Sequence, residues 1–127
     1  MPIDYDIDET QGLVVAKGSG VITPDEVVAH LDELAADSRY QPPMKKLIDY
    51  REVTNMRYTE DDTWAVARKK EHTDFFKDER CAFVSPGDAT FATTRVHQTL
   101  ANKTNDNTAV FRTYEEAVEW LGIAMDI

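Results

Sequence analysis

The chain has 127 residues, a formal net charge of -10, 42% apolar residues and one cysteine. That length fits one domain able to bury a real core, and the apolar content excludes general disorder. The charge disfavours nucleic acid and anionic lipid as partners, and a single cysteine excludes an internal disulfide.

In chain order, Ile3 to Ile7 alternate with Asp4, Asp6 and Asp8, the pattern of a half-buried strand. Glu9-Thr10-Gln11-Gly12 reads as a turn, and Leu13 to Lys17 returns as a second strand, giving an N-terminal antiparallel hairpin. Gly18 and Gly20 soften its end. Gly18-Ser19-Gly20 has no following Lys-Ser or Lys-Thr, so it is no phosphate loop. A first helix is predicted from Pro24 to Asp37, with Val27, Val28, Leu31, Leu34 and Ala35 as its apolar face. Tyr40-Gln41-Pro42-Pro43 ends it, and Met44 to Tyr50 is the third strand.

A second helix is predicted after Thr59, reaching Phe76, with Trp64, Ala67, Glu71 and Phe75 roughly on one side. Cys81 to Val84 is the fourth strand. A third helix runs from near Pro86 to Asn102, Thr108 to Phe111 is the fifth strand, and Tyr114 to Leu121 the fourth helix. The order is ββαβαβαβα. Helices of crossover length separate the later strands, which makes those strands parallel. Residues 1–127 read as a single α/β domain.

Four helix starts share one signature. Thr23, Thr59, Ser85 and Thr113 each stand three residues before an acid, namely Glu26, Asp62, Asp88 and Glu116. The hydroxyl can accept from first-turn amides while the acid reaches back to the cap. Pro24 and Pro86 sit where a helix tolerates proline best.

The chemistry candidates gather where the third strand ends, in Leu47-Ile48-Asp49-Tyr50-Arg51-Glu52-Val53. Carboxyl ends of strands are the common ligand position in open α/β sheets. Asp49 and Arg51 either hold a polar ligand or partner loop, or pair with each other and organise the strand end. Arg57, Tyr58 and Thr59 lie just beyond as further contact candidates. Thr54 and Thr59 are hydroxyls open to phosphorylation. Trp64, Phe75, Phe76 and Phe91 are candidates for an apolar pocket or a dimer contact. His30, His72 and His97 have no neighbours at ligand spacing, so no metal site is expected. No serine sits in a Gly-x-Ser-x-Gly elbow. No catalytic residue and no cofactor are assigned. Cys81 reads as a buried strand thiol.

Several segments, in this order and spacing, resemble the SpoIIAA-like family of small STAS-fold proteins, related to Sec14-type lipid-binding domains. They are Gly20-Val21-Ile22-Thr23-Pro24-Asp25-Glu26, Leu47 to Val53, Ala82-Phe83-Val84-Ser85-Pro86, Phe91-Ala92-Thr93-Thr94-Arg95, and Val110 to Leu121. The resemblance implies a mixed five-stranded sheet with helices mainly on one face. It also implies a serine just after the third strand that switches partner binding when phosphorylated. The segment Asp49 to Thr54 has no Asp-Ser there, so Thr54 or Thr59 would have to substitute. The Sec14-related branch implies lipid or small apolar ligands.

The resulting expectation is a non-enzymatic binding or regulatory module making protein contacts, with a partner or with itself as a homodimer. The alternatives are a carrier or sensor of a small hydrophobic or lipid-like ligand, and an enzyme with its site near Asp49. No early segment has the pattern of a secretory leader, and no apolar stretch reaches membrane-spanning length, so a cytoplasmic location without membrane insertion is expected.

Overall fold

Ile3–Asp8 (β1) and Leu13–Ile22 (β2) form the expected hairpin, pairing from Ile3 with Gly18 to Asp8 with Leu13. Gly12 turns the chain with φ +59°, a conformation that glycine adopts without penalty. The computed structural model describes residues 3–41, 43–56, 80–87, 91–92 and 107–123. Within them follow Pro24–Ala36 (α1), Lys45–Met56 (β3), Arg80–Val84 (β4), Asn107–Phe111 (β5) and Tyr114–Leu121 (α2). The sheet order is β1-β2-β3-β4-β5; only β1 is antiparallel to its neighbour, and β2 through β5 run parallel. The mixed sheet and the strand directions are those read from the sequence. The second and third predicted helices lie outside the described residues, apart from Phe91 and Ala92.

The pleat sorts side chains onto two faces. Ile3, Ile7, Val14, Ala16, Ile48, Tyr50, Cys81, Phe83 and Val110 share one face with Leu31 and Leu34 of α1. Leu13, Leu47, Ala82 and Val84 share the other with Ala117, Val118 and Leu121 of α2. The two described helices therefore cover opposite faces. Cys81, 3% exposed, is the buried strand thiol that its apolar run predicts.

The cap signatures hold at both described helices. Glu26 N–H donates to Thr23 Oγ1 (3.4 Å) and Thr23 N–H to Glu26 Oε2 (3.3 Å), a complete capping box. At α2, Glu116 N–H donates to Thr113 Oγ1 (3.2 Å), but the Thr113 hydroxyl itself donates to Glu116 Oε1 (2.8 Å). At the third predicted start, Asp88 lies outside the described residues, so the cap expected at Ser85 is not described. The Ser85 N–H extends the ladder to the Phe111 carbonyl (2.8 Å), and the helical bond from Phe91 N–H is accepted by Gly87 (2.8 Å).

β2 and β3 run well past their predicted ends. Beyond Gly18, β2 has no β1 partner; beyond Asp49, β3 has no β4 partner. The two continue as a parallel ribbon, Ser19 opposite Glu52 to Ile22 opposite Met56, with register shifts between Lys17 and Ser19 and between Gly20 and Val21. Each shift leaves one extra residue on β3, at the second of them Thr54. Gly20, at φ +67°, lies at that second shift. The underside of the ribbon is apolar, with Ile22 fully buried and Val53 and Met56 half-buried against the core.

At Gly18 the ring of Tyr50 lies against the glycine Cα. An added Cβ would stand 2.8 Å from two ring carbons and 3.2 Å from Val53 Cγ2. Gly18→Ala is expected to destabilise the protein by about 1–3 kcal/mol, read as a lower denaturation midpoint in urea.

His30 lies on the sheet-facing side of α1, 9% exposed, edge-on to the Tyr5 ring (5.4 Å between centroids), with no hydrogen bond to Nδ1. Burial, with a lesser push from Lys46, lowers its pKa from 6.5 to about 4. A base weakened by folding takes its proton more readily in the unfolded chain. The neutral side chain's contribution is therefore complete above pH 6.5 and is lost as the pH falls toward 4. His30→Phe should flatten the acid limb of the stability profile between these values, by at most about 3 kcal/mol in urea titrations at stepped pH.

Candidate functional site

Asp49 is the last residue of β3 to pair with β4, opposite Val84, and it is buried while the Arg51 side chain is half exposed. Its carboxylate turns back onto its own strand. Oδ1 accepts from the Arg51 backbone N–H (3.0 Å) and Nε (3.0 Å), and Oδ2 from Nη2 (2.8 Å) and Nε (3.1 Å). The carboxylate thus satisfies the amide of Arg51 where β4 has ended, and grips the guanidinium in the two-pronged geometry that suits arginine. Burial raises the Asp49 pKa, but the Arg51 hydrogen bonds outweigh it, so the net shift is downward. Opposite Asp49 across β2 stands Lys17, whose Nζ pairs with Glu52 (3.0 Å).

The other side of the guanidinium meets α2, where the Arg51 Cζ lies 4.5 Å from the Tyr114 ring centroid. Arg80 stacks on Trp120 near the far end of the same helix (4.1 Å). Two arginines from opposite ends of the sheet thus bracket a short helix with few buried residues. The Asp49–Arg51 pair is engaged with itself and with α2.

Thr54 is exposed on β3, which runs beyond its predicted end at Tyr50 to Met56. Phe91 is half-buried against the core, with the Arg112 guanidinium over its ring (4.0 Å). Arg57, Tyr58, Thr59, Trp64, Phe75 and Phe76 lie outside the described residues. Among the described residues no group of three or more His, Cys, Asp or Glu could hold a metal ion, and no helix is long and apolar enough to cross a membrane. Sequence reasoning missed Tyr114 as the Arg51 partner, since nothing local reveals that contact. It also missed Lys46, 4% exposed, whose Nζ lies 5.5 Å from the Tyr40 ring centroid.

No family model matches the chain, and no curated protein matches it. A solved structure does: an uncharacterised protein of the DUF3478 family with a SpoIIAA-like fold from Shewanella loihica PV-4. It is 22% identical with a TM-score of 0.59, and the match covers 94% of this chain and 93% of that one. At that identity the likeness shows the fold, and the chain has the SpoIIAA-like fold.

Removal of the guanidinium would leave a buried carboxylate without its partner. Arg51→Ala is expected to cost about 2 kcal/mol at neutral pH, reduced from a fully buried pair because Arg51 is half in water. The Asp49 pKa is depressed on folding. Its contribution is therefore present above the unfolded value near 4 and lost as the pH falls through the lower folded value. The difference between wild type and Arg51→Ala should shrink over that acid range in stability measurements at stepped pH.

Proposed function

We propose that the chain is a non-enzymatic binding or regulatory module that makes protein contacts at the projecting end of β3. The observation carrying this reading is the change in character along that strand. Up to Tyr50 it is a buried central strand. From Arg51 onward it runs past the end of β4 and pairs with β2 alone among the described strands, and Arg51, Glu52, Thr54 and Asn55 are exposed on a braced ribbon. Such a surface is stiff enough for recognition yet takes no part in the main core.

The pairing of Asp49 supports the non-enzymatic reading. A general base working near neutral pH needs a pKa tuned toward that pH and a free lone pair aimed at substrate. The Asp49 carboxylate is shifted the other way, and both its oxygens accept from Arg51. Thr54 offers an accessible hydroxyl on this surface, where phosphorylation would add charge and alter any contact. Thr59 remains the other candidate for modification.

A photocrosslinking residue placed at Thr54 in host cells should give a discrete protein adduct, weakened by Glu52→Arg and absent when the probe replaces exposed Glu9. Equal adducts from both positions, or none from Thr54, would sink the assignment of this surface.

A further inference from the structure

We draw no further inference here: the strongest candidate, the buried side-chain pair of His30 on α1 and Lys46 on β3 beside the Tyr5 ring, carries nothing beyond the acid-range stability change already derived, because its case rests on the lowered pKa of His30 alone.

Discussion

The parallel pairing of β2 with β3 is the contact on which the other elements depend. β1 is laid on the first half of β2, and β4 on the first half of β3. α1 is the crossover that makes the pairing parallel, and its Leu31 and Leu34 cluster with Ile7 of β1 and Val14 of β2. The pairing survives beyond its neighbours because Gly18 lets the Tyr50 ring lie flat where any side chain would collide. Ile22, Val53 and Met56 then close the underside of the ribbon. A two-stranded ribbon is marginal alone in water; this one holds because one face remains attached to the core.

Asp49 stands where β4 ends beside β3 and joins the sheet to α2. One carboxylate satisfies an amide that has lost its strand partner and orients Arg51, which then lies over the first aromatic ring of α2. At the carboxyl end of the strand, the Asp49 side chain is bound to Arg51 of its own strand.

Much of this was legible in the chain because the relevant signals are local. Alternation over residues 3–8, the turn at Gly12, the cap at Thr23 and the apolar run at Cys81 each act within a few residues. The continuation of β3 through Met56 was not legible, since Arg51, Glu52, Thr54 and Asn55 break the apolar alternation and the strand is held by its neighbour. Lys46 could have been placed, being in phase with Ile48 and Tyr50 on the buried face. His30 likewise shares a helix face with Val27 and Leu34, but a polar residue inside an apolar stripe is easily set aside. For the site, the Asp49–Arg51 pair was readable from a two-residue spacing along one strand. Its stacking on Tyr114 depends on how α2 returns over the sheet, which no local pattern encodes.

The thiol of Cys81 gives this fold a built-in gauge. It is the only cysteine in the chain, lies on the interior strand β4 within the apolar cluster of Ile48, Tyr50 and Phe83, and is 3% exposed. A thiol reagent can reach it only when the sheet opens. When reclosing outpaces the reagent, the labelling rate reports the population of the opened form rather than the chemistry of sulfur. Modification of Cys81 thus follows the separation of the protein's layers from within, without any introduced label.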